Sequence, residues 1–326
     1  MVIIEKASNI WQYQQEKKLM MKSSQKSAIA NFLSDQKLKL VKLNEQEYME
    51  GLIAYRSQQN EQEMIIEATF QAIEKHKYSQ ESYNILSIGC GSGVFDKPFL
   101  TKLLELNKSI HFVGVEPKEV GCLKTEEWCQ KLSTFKPNKF WFKIYPVSLE
   151  EFQPLQTFDI ILLIHSCYYF SEIKSSVEKV YGLIGEEGIA IVAISLKTEI
   201  SELYCYVNQR FYQRQRFYSE DLDRVLSEKN ISFHQEIIES PVNITECFQK
   251  DSQLGKHLLD FIIGANTTYF SPSQLQVLLD YLSSNSQKLE SGKIMIPTSV
   301  SFYYFQKKKE EEIKKRELMK NFESNK

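Results

Sequence analysis

Residues 158–166 read FDIILLIHS, an almost wholly apolar, largely β-branched run. Such a run suits a strand covered on both faces, and strands covered on both faces belong to parallel sheets flanked by helices. GIAIVAIS at 188–195 has the same character, and NILSIG at 84–89 is a shorter example. IHFVGVEP, closed by Pro117, KFWFKIY and ISFHQEIIES complete a set of strand-like runs. Helical patterns separate them: FDKPFLTKLLELN, KEVGCLKTEEWCQKL, FSEIKSSVEKVYGLI, TEISELYCYVNQRF and YSEDLDRVLSEKN, the last opened by Ser219 as the expected N-cap. A long alternating segment, GKIMIPTSVSFYYF, fits an antiparallel partner, with Pro297 marking a bulge or an edge position. The order predicts a doubly wound α/β sheet of seven strands, mostly parallel, with the last strand antiparallel.

Around this sheet the chain divides by composition. Residues 1–40 read as a lysine- and glutamine-rich extension. Residues 41–306 read as the main domain, with two amphipathic helices over 45–77 broken at RSQQN, and short helices inserted over 243–288. Residues 307–326 form a mixed-charge tail.

The segment NILSIGCGSGVFD sets Gly89, Gly91 and Gly93 in the first strand-to-helix turn. Glycines cluster where the backbone turns tightly or a ligand comes close. The dinucleotide fingerprint G-x-G-x-x-G is not met, because the third glycine comes one position early and position 94 is valine. No Gly-Lys-Ser/Thr follows, so the phosphate loop fails as well. G-x-G-x-G in this turn resembles motif I of the Rossmann-like S-adenosylmethionine methyltransferases. That reading requires an acid at the end of the second strand to accept both ribose hydroxyls, and Glu116 stands there. Ligands of such sheets sit beyond the carboxyl ends of the strands.

Composition narrows the classes further. The 326 residues carry a formal charge of -2 and a pI near 6.3, which offers no basic footprint for nucleic acid. The IHSCYYF segment after the fourth strand lacks the Asn/Asp-Pro-Pro-Tyr of base-amine methylation. Asp159 lies at the wrong end of that strand for a metal-dependent O-methyltransferase, so no metal is expected. No run reaches the roughly 18 apolar residues of a membrane span. The six cysteines form no C-x-x-C pair, which suits free thiols in a reducing compartment. A cytoplasmic protein is expected, ahead of a mitochondrial one, and a monomer unless the tails recruit a partner.

The segments ILSIGCGSG, VEP, FDIILLIHSCYYF, NITECF, LLDF and GKIMIPTSVSF, in this order, resemble the histamine N-methyltransferase family over about Tyr48 to Phe302. The resemblance implies S-adenosylmethionine as cofactor and a small amine or imidazole-type acceptor. It implies Gly89, Gly91, Gly93, Glu116, Ser148 and Ile164 around the cofactor. It implies Glu61, in a helical lid, as the carboxylate that holds the acceptor, with His165, Tyr168 and Tyr169 beside the donor methyl. His165 falls where the family has a glutamine, and is expected to act as a general base or as a hydrogen-bond donor. Of Tyr168 and Tyr169 one ring is expected to pack and one to function, since neighbours at a strand end face opposite ways. Tyr204, Phe261 and Thr298 complete the implied acceptor set. The family's two tryptophans fall on Ile200 and Tyr204, its asparagine on Thr298, and a cofactor-binding glutamine on Gly121. The cofactor frame is thus kept while the acceptor pocket is rewritten. The alternative is a methyltransferase fold that has lost its chemistry and serves as a binding or structural subunit.

Overall fold

The computed structural model describes residues 29, 31–32, 37–75, 80–212 and 216–307. Most of the expected extension at 1–40 and the tail from 308 onward lie outside the described residues. In chain order the strands are β1 (Ser82–Ile88), β2 (Ser109–Val115), β3 (Phe140–Tyr145), β4 (Phe158–Ile164), β5 (Ile184–Ser195), β6 (Phe233–Glu239), β7 (Val242–Asn243), β8 (Gln287–Lys288), β9 (Ile294–Ile296) and β10 (Ser299–Gln306). The α-helices are α1 (Glu45–Ser57), α2 (Glu61–Lys75), α3 (Asp96–Glu105), α4 (Glu119–Phe135), α5 (Ile173–Leu183), α6 (Glu199–Tyr212), α7 (Ser219–Glu228), α8 (Gln253–Ile263) and α9 (Pro272–Ser284). The chain falls into two compact units. Among the described residues, the smaller comprises those up to 59, those over 198–212 and Ser240–Thr298, and the larger comprises those over 60–197, Arg216–Glu239 and those over 299–307.

The larger unit holds the expected seven-stranded sheet, in the order β3-β2-β1-β4-β5-β10-β6. β1 pairs in parallel with β2 and β4, β2 with β3, and β4 with β5. β10 runs antiparallel to β5 on one side and β6 on the other. Because side chains alternate along a strand, the apolar runs feed two cores. Ile85, Ile160, Leu162, Ile189 and Ile191 pack with Ile65, Phe99 and Trp128 of α2, α3 and α4. Leu86, Ile161, Leu163, Ala190 and Val192 pack with Val177 and Leu222 of α5 and α7 on the other face. That two-sided burial is what FDIILLIHS requires.

The smaller unit packs α1, α6, α8 and α9 with a three-stranded sheet in the order β7-β9-β8. Its core includes Leu203, Val207, Leu258, Ile262, Leu278 and Leu282. α1 and α8 approach closely where a Cβ on Gly51 would lie 2.9 Å from Phe261 Cβ.

Three expectations are corrected. GKIMIPTSVSFYYF is two strands, not one: β9 ends at Ile296, Pro297 interrupts, and β10 begins at Ser299 in the other sheet. Proline has no N–H to give the ladder, so the run cannot continue through it. The insert over 243–288 carries β7 and β8 besides helices; two-residue strands leave too short a pattern to read. Ser219 is the first residue of α7 and Tyr218 holds the N-cap position, its backbone N–H donating to Asp221 at 3.1 Å. Among the described residues no helix is long and apolar enough to cross a membrane.

Candidate functional site

The turn from β1 to α3 is built around its glycines, all at positive φ: 71° at Gly89, 55° at Gly91 and 73° at Gly93. Space is as restrictive as conformation at two of them. A Cβ on Gly89 would lie 2.6 Å from Ser166 Cβ, and one on Gly93 would lie 2.2 Å from Trp128 Nε1. Around Gly91 nothing lies within 4 Å. The Trp128 indole N–H donates to the Ser92 carbonyl at 3.2 Å, so α4 clamps the loop from outside.

Glu116 follows β2 and is buried. Its Oε2 accepts the Gly91 N–H at 3.0 Å and its Oε1 accepts the Lys118 N–H at 2.9 Å. Each carboxylate oxygen has a second lone pair, so both still accept from a ligand hydroxyl. A Cβ on Gly121 would lie 3.0 Å from both Glu116 Cγ and the Gly91 carbonyl oxygen. The residue type at 121 therefore fits the space left by this pair.

Ser148 follows β3, its N–H donating to Glu151 at 3.0 Å. Ile164 closes β4 and is half-buried against the core that holds Ile160 and Leu162. The loop glycines, Glu116, Ser148 and Ile164 thus stand at the carboxyl ends of four adjacent parallel strands, the edge where ligands of doubly wound sheets bind.

Two polar atoms by this loop are buried with no hydrogen-bond partner in the protein: Ser166 Oγ and Asp96 Oδ1. Ser166, 6% exposed, sits against Gly89. Asp96, 3% exposed, opens α3. Burial pushes its carboxyl up to about 7, against the pull of a hydrogen bond from Ser87. Buried polar atoms are nearly always paired. A loop with no room for a side chain at Gly89 and Gly93, and an unpartnered hydroxyl at its wall, fits a ligand with polar edges such as S-adenosylmethionine.

A second cluster lies at the ends of β4 and β5. The Glu61 carboxylate, in the first turn of α2, is 2.9 Å from His165 Nε2, and His165 Nδ1 is 2.9 Å from the Tyr168 hydroxyl. That hydroxyl is 2.7 Å from Ser195 Oγ and accepts the Ser195 N–H at 2.7 Å. The His165 backbone takes φ 54°, an uncommon conformation for a non-glycine residue, and its N–H donates to the Ala193 carbonyl at 2.9 Å. Burial alone would lower the imidazolium's pKa. The facing Tyr168 oxygen and Glu61 carboxylate outweigh burial and lift the pKa to about 9. With both nitrogens protonated, His165 donates in two directions.

Tyr168 is buried, with the Arg216 guanidinium 3.9 Å above its ring, while Tyr169 is 54% exposed. The two rings meet edge-on, 6.2 Å apart, and sit on a short 3₁₀ turn, Cys167–Tyr169, rather than on a strand end.

Tyr204, Phe261 and Thr298 belong to the smaller unit. The Tyr204 ring lies 2.9 Å from where a Cβ on Gly264 would stand. Phe261 packs between Tyr48 and Tyr55, at ring separations of 5.7 and 5.0 Å. Thr298 Oγ1 donates to the Ser240 carbonyl. Sequence reasoning missed Asp96, Ser166 and Ser195. A serine closing the buried run GIAIVAIS was a signal, whereas nothing in the pattern marks Asp96 as buried. Among the described residues no group of His, Cys, Asp and Glu side chains could hold a metal ion.

No family model matches the chain. Histamine N-methyltransferase of Bos taurus is 26% identical over 232 residues, spanning 67% of this chain and 80% of that protein. Histamine N-methyltransferase of Cavia porcellus is 26% identical over 238 residues, spanning 69% and 82%. The chain is an S-adenosylmethionine-dependent methyltransferase. Among solved structures this methyltransferase is similar in fold to the YcgJ protein of Bacillus subtilis, with a TM-score of 0.50 and 13% identity over 74% of this chain and 99% of that one.

Proposed function

We propose that the enzyme methylates a nitrogen of a small amine or imidazole-type acceptor. The observation that carries this reading is the position of Glu61. Its carboxylate meets His165 at the end of β4, the sheet edge that also bears the glycine loop and Glu116. S-adenosylmethionine, when bound, supplies a methyl group on a positively charged sulfur for transfer to a neutral nitrogen. The loop of Gly89, Gly91 and Gly93 would let the backbone approach the donor, Glu116 would accept its ribose hydroxyls, Ser148 would stand near its adenine, and Ile164 would line the site. The unpartnered Ser166 hydroxyl offers one further polar contact.

Much of the rate comes from holding the acceptor in line, worth up to about 7–11 kcal/mol in well-oriented systems. The Glu61–His165 pair orients the acceptor nitrogen and gives its departing proton a carboxylate to reach. The exposed ring of Tyr169 favours positive charge at the reacting centre by its face, at about 0.5–2 kcal/mol, whereas the buried ring of Tyr168 already carries Arg216 on one face. The roles given to Tyr204, Phe261 and Thr298 rest on the resemblance alone. All six cysteines are free thiols, which supports a cytoplasmic setting.

The test is a panel of small amines and imidazoles incubated with the full chain and S-adenosylmethionine, with methylated product read by mass spectrometry. Donor binding is read separately by thermal melting. A ligand at a hundred times its dissociation constant stabilises by about 2.7 kcal/mol. Donor binding without methylation of any amine would sink the acceptor class. No thermal shift at all would sink the cofactor site.

A further inference from the structure

A carboxylate beside a methyl-transfer site ordinarily has an obvious use, which is to hold a positively charged group on the acceptor. In this enzyme that carboxylate is already met by a side chain. Glu61 and His165 are 2.9 Å apart, and their side chains are only 13% and 27% exposed. The imidazole is also fixed from its other side. Nδ1 reaches Tyr168, and Tyr168 is tied to both the hydroxyl and the amide of Ser195. The His165 backbone N–H is bonded to the Ala193 carbonyl, which anchors the residue in its left-handed conformation. A second fixed cation, the Arg216 guanidinium, lies 3.9 Å above the Tyr168 ring.

We propose that His165 is a specificity-determining residue: it fills the cation-holding place at Glu61, so the enzyme selects acceptors that carry no second positive charge. This rests on the small-amine reading given above. The cluster sets His165 directly on the Glu61 carboxylate, with the Arg216 guanidinium over the ring of the neighbouring Tyr168. An acceptor bearing a remote ammonium meets the His165 cation at that carboxylate in a partly buried site, where like charges a few ångströms apart repel strongly. A neutral hydroxyl or amide tail, or an acidic one, meets no such penalty. The nucleophilic nitrogen, which must itself be neutral to attack, is unaffected. Specificity of this kind comes from an unfavourable contact with the rejected substrate rather than from a better contact with the chosen one.

The experiment compares three imidazoles that differ only in the tail on the ring: aminoethyl, which is histamine, hydroxyethyl, and acetate. kcat/KM is measured at neutral pH with the full chain and S-adenosylmethionine, for wild type, His165→Gln and Glu61→Gln, and donor affinity is measured in parallel. Wild type is expected to favour the hydroxyethyl or acetate compound over the aminoethyl one by tenfold or more. His165→Gln, which releases Glu61 to an incoming cation, is expected to raise the aminoethyl compound relative to the others by tenfold or more. Glu61→Gln, which leaves His165 without its counter-charge, is expected to depress it further. A wild-type preference for the aminoethyl tail overturns the inference and leaves the small-amine reading standing. So does an order unchanged in His165→Gln, provided that variant still binds the donor. If either variant fails to fold, the wild-type order decides alone. Donor binding with no methylation of any of the three overturns the reading and the inference together.

Discussion

Glu116 accepts the Gly91 amide at 3.0 Å on one carboxylate oxygen and the Lys118 amide at 2.9 Å on the other. The acid proposed to take the ribose therefore also holds the glycine loop against β2. A hydrogen bond to a charged group contributes about 1.5–3 kcal/mol. Glu116→Gln keeps one carbonyl acceptor and is expected to weaken donor binding by roughly tenfold. Glu116→Ala loses both amide contacts and the ribose contact, and a loss beyond about a hundredfold is expected. Titration calorimetry with S-adenosylmethionine checks this, and wild-type affinity in the alanine variant would remove Glu116 from the site.

The three loop glycines are expected to rank by the space around them. Gly93→Ala drives a methyl into Trp128 as well as straining the backbone, whereas Gly91→Ala faces open space and pays only for its φ of 55°. A residue forced into a sparsely populated conformation costs about 1–3 kcal/mol, and the clash adds to that at position 93. Melting temperature should therefore fall more for Gly93→Ala than for Gly91→Ala. Equal losses would show that the Trp128 clamp contributes nothing.

Asp96 sets a pH dependence of stability. Its carboxyl is lifted to about 7 in the folded protein, above the value of about 3.9 in an unfolded chain. The folded state thus holds the proton more tightly than the unfolded state. The stability this gives is fully present below about pH 4 and is lost as pH rises through about 7. Asp96→Asn keeps the shape and removes the titration. The difference in unfolding free energy between variant and wild type should grow in the variant's favour from pH 4 to pH 8, by at most about 3–4 kcal/mol. Denaturant melts across that range check it, and a constant difference would mean that the carboxyl is ionised throughout.

In the smaller unit, a Cβ on Gly255 would lie 2.0 Å from the Glu246 carbonyl oxygen, and backbone cannot step aside as a flexible side chain does. Gly255→Ala is expected to cost stability at the upper end of the usual 0.5–3 kcal/mol range for single substitutions. Hydrogen exchange along α8 should rise with it. Unchanged protection there would contradict the close approach.

What could be read beforehand follows from how far each signal reaches along the chain. Apolar runs and helical periods are local, so the sheet, its antiparallel last strand and the two helices broken at RSQQN were legible. The loop glycines and Glu116 were legible because strand order alone brings them to one edge. The pairing of Glu61 with His165 was not, since nothing local to either residue says that their side chains meet. The division of GKIMIPTSVSFYYF was half legible: Pro297 marked the place, but only the two sheets show that the chain changes partners there. Asp96 and Ser166 were invisible because burial of a single polar side chain leaves no periodic trace.

The position of β10 has a consequence for the order of synthesis. β6 lies at the edge of the large sheet, and its partner in the ladder is β10. A ribosome delivers β6 and then all of 240–298 before the strand that joins β6 to β5 exists. Until then β5 and β6 each offer an unpaired edge, the kind of surface that recruits other chains. The sheet that carries the proposed methyl-donor site thus waits on one of the last-made of the described segments, and a ribosome stalled before Ser299 would display two open strands at once.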